Sequence, residues 1–266
     1  MTKIGITGAN GLIGSLLKKK LIKKKISYSI FKGDIKNKKE IAKWIKINSK
    51  IEYLFHLAAL SSPQIVDRNK NEALKVNFYG TKNLLEVLEK RGKKIWFFFP
   101  STSHVYKYSK KRISENHILK PTSFYGKTKL RAEKIIKKNK FKKFSFLIGR
   151  IFSVYHLKQK KPFLYPSILQ KIRISKKKKI ILKNGLSVRD FLNAEDVVEI
   201  IYKIYSKKLC GIYNIGSGKG ITVKSFIEKQ FNLKNITVQN DNINSLVSNN
   251  TKLIKKLRWI RNLNIN

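Results

Sequence analysis

Carboxylates are scarce in this chain: 15 Asp and Glu stand against 60 Lys and Arg, leaving a formal net charge of +45 over 266 residues. Cysteine is scarcer still, with Cys210 alone, so no internal disulfide can form and the chain suits a reducing cytoplasm. Long apolar runs are missing as well. The longest uncharged apolar runs, such as 53–60 and 95–99, fall well below the ~20 residues that a membrane-spanning helix requires. The N-terminus runs straight into a strand pattern and lacks the apolar core of a signal peptide.

An excess of positive charge points first to nucleic acid or an acidic membrane surface. Its distribution argues otherwise, because nearly all of it is lysine spread through every segment. Lys18–Lys20 and Lys23–Lys25 interrupt Ile13, Leu16, Leu17 and Leu21, whose spacing marks one apolar helix face, so the lysines fall on the solvated side. The arginine and exposed-aromatic interleaving that serves nucleic acid is lacking. We therefore expect no dedicated nucleic-acid partner and no membrane, only weak, salt-sensitive attraction to polyanions.

What is present begins at residue 1. The run Met1-Thr-Lys-Ile-Gly-Ile-Thr-Gly-Ala-Asn-Gly-Leu-Ile-Gly14 reads as a buried strand, a tight turn and a helix start. Gly8, Gly11 and Gly14 meet separate needs there: bending the chain, letting a pyrophosphate approach the backbone, and packing helix closely on strand. The amides of Asn10, Gly11, Leu12 and Ile13 would face phosphates at the helix N-terminus. Alone, the triplet fits any tight strand-to-helix turn.

Downstream the pattern repeats. Helix 12–25 leads to strand 26–31 and then to Lys32-Gly33-Asp34-Ile35. Asp34 lies ~20 residues past the glycines, where an acid that holds an adenosine ribose is expected; it reads equally as the N-cap of a helix over 37–48. Strand 51–59 ends in Ala58 and Ala59, small residues that leave room beside a sheet, and His56 within it reads as a packed core histidine. A helix over 70–90 is predicted to bury Leu74, Phe78, Leu84, Leu85 and Leu88, with Asn77 and Gly80 meeting the sheet closely. Strand 95–99 runs into the hydroxyl cluster Ser101-Thr-Ser103. Tyr125 and Lys129, four apart, share a helix face, and an ammonium beside a phenol lowers the tyrosine from its ordinary ~10. Phe144–Ile151 is counted as the sixth strand.

Strands alternating with helices predict an α/β fold, a Rossmann-type doubly wound parallel sheet. After residue 151 the pattern loosens into irregular chain, a helix over 168–174, the stretch 188–198 running into a helix that ends near 205, a strand with a glycine turn over 212–220, and a helix over 223–231. The expected division is a nucleotide-binding domain over 1–151 and a small C-terminal α+β lobe over 152–266, with about 186–206 returning to the first domain.

Six ordered motifs carry a family resemblance: Thr7-Gly-Ala-Asn-Gly-Leu-Ile-Gly14, His56-Leu-Ala-Ala59, Val76-Asn-Phe-Tyr-Gly-Thr81, Ser101-Thr-Ser-His-Val-Tyr106, Tyr125-Gly-Lys-Thr-Lys129 and Arg189-Asp-Phe-Leu-Asn-Ala-Glu-Asp196. Together they resemble the extended short-chain dehydrogenase/reductases, in the branch of nucleotide-sugar epimerases, reductases and dehydratases. The resemblance implies a Rossmann domain for NAD(P) and a small lobe for a nucleoside-diphosphate sugar. It implies Thr102 as the catalytic hydroxyl, Tyr125 as acid/base, and Lys129 as the residue that binds the nicotinamide ribose and lowers the tyrosine. Leu57, Ala58 and Ala59 would border the cofactor, and Arg189 would pair with substrate phosphates.

Asp34 and Ile35 would then lie against the adenine, with Lys32 in the place of an acidic residue at the end of strand two, which favours NADP slightly over NAD. Ser103, His104 and Ser153 fall on the substrate side; Ser153 stands where many relatives have Asn. Dehydratases of the family carry an acid just after the catalytic hydroxyl, whereas this chain has Ser103 and His104. The resemblance thus implies reduction of a 4-keto-6-deoxy nucleotide sugar, ahead of epimerisation or dehydration. No metal ligands are singled out, and a homodimer is left open. The chain passes Leu257-Arg-Trp259 without the closing helix common in the family, which predicts a more open lobe or one completed by a partner. A reading of another class, a dinucleotide-binding sensor or nucleic-acid-associated relative without catalysis, would need the glycine turn but not the tyrosine and lysine.

Overall fold

The computed structural model describes residues 3–139, 143–174, 180–234, 236–239 and 243–258. Its first half alternates as expected: β1 (Ile4–Thr7), α1 (Leu12–Lys23), β2 (Tyr28–Ile30), α2 (Lys38–Ile47), β3 (Tyr53–His56), α3 (Pro63–Arg68), α4 (Lys70–Leu74), α5 (Gly80–Arg91), β4 (Ile95–Thr102), α6 (Phe124–Lys138) and β5 (Phe144–Ile151). Side chains on successive strand residues point to opposite faces, and the sequence uses both. Trp96 and Phe98 of β4 enter a core with Leu17 and Leu21 of α1. Phe97 and Phe99 enter a second core with Ile41 of α2, Leu84 of α5 and Ala132 of α6.

The second half is more broken: β6 (Ser153–Tyr155), α7 (Leu164–Ile174), β7 (Ile180–Lys183), β8 (Val188–Arg189), β9 (Phe191–Asn193), α8 (Ala194–Ser206), β10 (Gly211–Ile215), β11 (Ile221–Thr222), α9 (Val223–Phe231), β12 (Ile236–Gln239), β13 (Ser245–Leu246) and α10 (Thr251–Leu257). One six-stranded sheet runs β10-β5-β4-β3-β1-β2, parallel throughout. The remaining strands form small sheets, β11-β8-β13, β12-β7 and β6-β9, over a core in which Phe191 stacks on Phe226 at 3.7 Å. The fold is the expected Rossmann-type parallel sheet with flanking helices. Because β2 and β3 lie on opposite sides of β1, the chain reverses its winding there, and the crevice at the carboxyl ends of β1 and β3 is where such sheets take ligands.

Several local expectations change. Phe144–Ile151 is the fifth strand of the run, and the sixth is β10, which pairs with β5. The chain therefore still belongs to the main sheet at 211–215, beyond the 186–206 expected to return. Asp34 does not cap α2: Asn37 does, accepting from the amides of Lys39 and Glu40, while Asp34 accepts from the Lys36 amide in its own turn. Between α4 and α5 the helix widens into a π turn over Lys75–Tyr79. That extra residue rotates the helix so that Ala73, Asn77, Gly80 and Thr81 are buried, whereas Leu74 and Phe78 are only half-buried. Trp259 lies outside the described residues.

Where the chain passes between sheet and small lobe it is gathered on one carboxylate. Asp190, fully buried between β8 and β9, accepts from the Ser217 amide (2.7 Å) and hydroxyl (2.6 Å), the Gly218 amide (3.0 Å), and the Ser248 amide (3.1 Å) and hydroxyl (2.5 Å). Among the described residues, no helix is long and apolar enough to cross a membrane.

Candidate active site

The three glycines after β1 separate by task. Gly8 has φ +68°, and a Cβ there would lie 2.4 Å from the Ala58 amide nitrogen, so the turn and the neighbouring strand both require glycine. At Gly14 a Cβ would come within 2.4 Å of the Gly8 carbonyl, which lets α1 sit on the turn. Gly11 is different. It is the N-cap of α1 in extended conformation, and a Cβ would meet nothing closer than the Gly8 carbonyl at 3.4 Å. Its missing side chain serves the space in front of the helix rather than the fold.

That space is a cavity of about 790 Å³. Gly8, Asn10, Gly11, Leu12, Ile13 and Gly14 line one end, with Leu57 and Ala59 beside them; Thr102, Ser103, His104, Tyr125, Lys129, Ser153 and Arg189 line the rest. Four of the expected residues do not reach it. Ala58 is half-buried against the second core, Ile35 is buried beneath Gly80, and Lys32 and Asp34 are exposed beyond β2. The lining also holds Lys19, Lys158, Lys160 and Lys183, and among the described residues it contains no Asp or Glu. Sequence reading missed these lysines because nothing distinguishes them from other members of so lysine-rich a chain.

Local structure fixes the polar side chains. Thr102 ends β4 and caps the 3₁₀ turn Ser103–Val105, its hydroxyl accepting from the His104 amide at 3.3 Å. Ser123 caps α6 by accepting from the Gly126 amide at 3.1 Å, and its hydroxyl also meets His104 Nδ1 at 3.1 Å. Gly126 lets the helix approach this loop, since a Cβ there would lie 2.3 Å from the His104 carbonyl. Tyr125, on the first turn of α6, is buried against Val66 and Ala73, with the His104 ring edge-on at 6.1 Å.

Burial dominates the electrostatics. The Tyr125 phenol is pushed above its usual value by desolvation, and no lowering by Lys129 offsets this. Lys129 points its ammonium at the face of Phe99, 3.9 Å from the ring centroid. Burial pulls Lys129 down to about 7, with the Glu133 carboxylate acting in the other direction. The expected phenolate-favouring pair is thus replaced by a phenol that keeps its proton and a lysine near half-charge at neutrality. Burial and the Arg189 cation bring His104 down to about 4, so its imidazole is neutral.

Two further buried groups stand behind the cavity. His56 bonds Thr7 Oγ1 through Nδ1 (2.7 Å) and Thr81 Oγ1 through Nε2 (2.9 Å), the packed core histidine expected from its strand. Glu133 and Arg150 form an ion pair at 2.7 Å with both side chains 1% exposed. Glu133 could have been noticed from its place four residues past Lys129, on the same helix face.

Comparison with known proteins gives the fold and the family. Residues 22–262 match the family model described as GDP-mannose 4,6 dehydratase. The GDP-6-deoxy-D-talose 4-dehydrogenase of Aggregatibacter actinomycetemcomitans is 29% identical over 273 aligned residues, covering 96% of this chain and 91% of its own. An uncharacterised UDP-glucose epimerase of Bacillus subtilis (strain 168) is 30% identical, covering 83% of this chain and 78% of its own. The structure of RMD from Pseudomonas aeruginosa complexed with NADPH superposes with a TM-score of 0.87 over 100% of this chain and 95% of that one, at 21% identity. With the family model spanning residues 22–262, the chain belongs to the GDP-mannose 4,6 dehydratase family, a branch of the extended short-chain dehydrogenase/reductase enzymes.

Proposed function

We propose that this enzyme uses NAD(P)H to reduce the carbonyl of a 4-keto-6-deoxy nucleoside-diphosphate sugar. The observation that carries the reading is the composition of the cavity: Thr102, Tyr125 and Lys129 share it with the glycine turn, and no carboxylate lines it among the described residues. Dehydration needs a further group to take a carbon-bound proton and help hydroxide depart, and His104, held neutral by burial, has no acidic proton to give that hydroxide. Reduction needs only a proton donor for the carbonyl oxygen, and a phenol that burial keeps protonated is in the form that such a step consumes. The named activity of the Aggregatibacter relative, a 4-dehydrogenase of a GDP-6-deoxy sugar, is the same exchange written in the oxidising direction.

The residues fit a dinucleotide. The open space before Gly11, and the amides of Asn10, Gly11, Leu12 and Ile13 at the start of a 12-residue helix, suit a pyrophosphate. Lys129 would hold the nicotinamide ribose, Leu57 and Ala59 would border the ring, and Lys32, exposed past β2, would accept a 2′-phosphate, so NADPH is the preferred form. The cofactor supplies the hydride when bound. In the reaction Thr102 hydrogen-bonds the sugar carbonyl oxygen, Tyr125 gives it a proton as the carbon is reduced, and Lys129 eases the charge left on the phenol. Arg189 is held by the Asn244 side chain at 2.6 Å and the Asn244 carbonyl at 3.1 Å; it would engage the diphosphate, with Ser103, His104 and Ser153 near the sugar. A cytoplasmic homodimer is the assembly we propose, its size read by light scattering.

The test is turnover. A 4-keto-6-deoxy nucleotide sugar, tried first with guanine as base, should oxidise NADPH mole for mole. Conversion of an unmodified nucleotide hexose without net cofactor oxidation would establish a dehydratase or an epimerase, the latter being the activity named for the Bacillus relative, and overturn the reading. A protein that binds neither NADPH nor NADH at millimolar concentration would overturn catalysis altogether.

A further inference from the structure

A buried ion pair is a weak source of stability, since desolvation offsets most of the attraction between the charges. The Glu133–Arg150 pair is also tied to more than itself. Glu133 Oε1 accepts from the Ser101 hydroxyl at 2.5 Å and from Arg150 Nε at 3.1 Å, and Oε2 accepts from Arg150 Nη2 at 2.7 Å. Arg150 Nη1 donates to the Tyr106 hydroxyl and to the Glu115 carbonyl, both at 2.9 Å. Tyr106 in turn donates to Asn214 Oδ1 at 2.7 Å. One carboxylate therefore links α6, the end of β4, β5 and, through Tyr106, β10. Ser101 is the residue before Thr102, and Glu133 is one helical turn beyond Lys129.

We propose that Glu133 is a positioning residue of the active site: clamped by Arg150, it fixes Ser101 and hence the Thr102 end of β4 against the Lys129 turn of α6, and it supplies the negative charge that acts on the Lys129 ammonium. The inference rests on the reading of Thr102, Tyr125 and Lys129 as the reacting set. The groups around Lys129 support it. Tyr125 on its own helix keeps its proton; His56 on β3 is neutral, brought down to about 3 by burial and by the Lys129 charge; Phe99 on β4 offers only its ring; Arg150 on β5 is spent on Glu133. Of these groups Glu133 alone is anionic, and it opposes the downward pull of burial on Lys129.

Two variants separate charge from placement. Glu133→Gln combined with Arg150→Met removes both charges but keeps an acceptor for Ser101, so the fold should hold. Lys129 should then titrate about one pH unit lower, read as the ¹⁵N-lysine resonance that disappears in Lys129→Arg. The high-pH limb of kcat should move down with it, and kcat at pH 8 should fall roughly tenfold. Ser101→Ala removes only the link to β4. It should lower kcat about three- to tenfold with KM and the pH limb unmoved, and Glu133→Asp should restore the Lys129 midpoint but not the full kcat. A folded double variant with an unmoved Lys129 midpoint overturns the electrostatic role, and full kcat in Ser101→Ala overturns the positioning role. If the double variant does not fold, Glu133→Asp and Ser101→Ala carry the test: wild-type kcat in both overturns the proposal. The resonance is read without substrate, so a wild type that turns over no nucleotide sugar counts against the proposed reaction and leaves the Lys129 measurement standing.

Discussion

The two ends of the cavity are made of different materials. At the β1 end the surface is backbone: three glycines, four helix-start amides, and no ionisable group among residues 8–14. At the α6 end it is side chain, and the side chains are titratable, buried and shifted. A backbone site is fixed once the turn folds and does not respond to pH. A side-chain site depends on the packing of several separate strands and helices, and its protonation can be moved by any neighbour. Recognition by the first end and chemistry at the second should therefore be separable by mutation, and the contrast can be attacked from either side.

The largest effect is expected at the backbone end. Gly11→Val should leave the fold intact, since only the Gly8 carbonyl lies within reach of a Cβ, yet raise the NADPH Kd by ~10³-fold or more by occupying the phosphate space. Gly14→Ala, three residues on, should instead lower stability by about 1–3 kcal/mol through overpacking against the turn. Equal loss of melting temperature in the two would erase the distinction between a ligand glycine and a fold glycine.

At the other end Tyr125→Phe removes a proton and almost no volume. It should cut kcat by ~10²-fold with the cofactor Kd within about twofold of wild type. A comparable loss of cofactor affinity would mean that the two ends are not independent.

Next in size is the response to pH. Lys129 lies at about 7, so its ammonium is present below that value and lost above it. The Kd of NADH, whose phosphates do not titrate in this range, should rise by up to about tenfold between pH 6 and 9. Lys129→Met should bind weakly at every pH and show no such slope, while Gly11→Ala should retain the slope at whatever affinity it has. Smallest is the choice of cofactor: Lys32→Ala should reduce the NADPH over NADH preference by roughly threefold, the loss of one exposed cation from a phosphate.

The same contrast explains what the sequence shows of this protein. Gly8, Gly11 and Gly14 were legible because a turn is local, and each glycine can be assigned a task within seven residues. Tyr125 and Lys129 were legible as neighbours on a helix, but the effect of one on the other was not. Whether a phenol is lowered by an ammonium or raised by burial depends on Phe99, Val66 and Ala73, which arrive from other elements. Glu133 escaped notice because its partner Arg150 arrives from a separate element, β5. The parallel sheet was readable from the alternation through β5, whereas β10 joins it only after the small lobe has intervened. The π turn at Lys75–Tyr79 has no signature in hydrophobic spacing, so Leu74 and Phe78 were assigned deeper in the core than they lie.

The Asp190 junction has a consequence for how the molecule opens. Its hydrogen-bond donors lie 27 and 58 residues away in sequence, at Ser217 and Ser248, so the carboxylate can satisfy all of them only when the main sheet, the small lobe and the segment leading to α10 are assembled together. Nothing shorter than that assembly protects those bonds. The amides of Ser217, Gly218 and Ser248 should consequently exchange with solvent deuterium at the rate of global unfolding, and sheet and lobe should melt in one cooperative step.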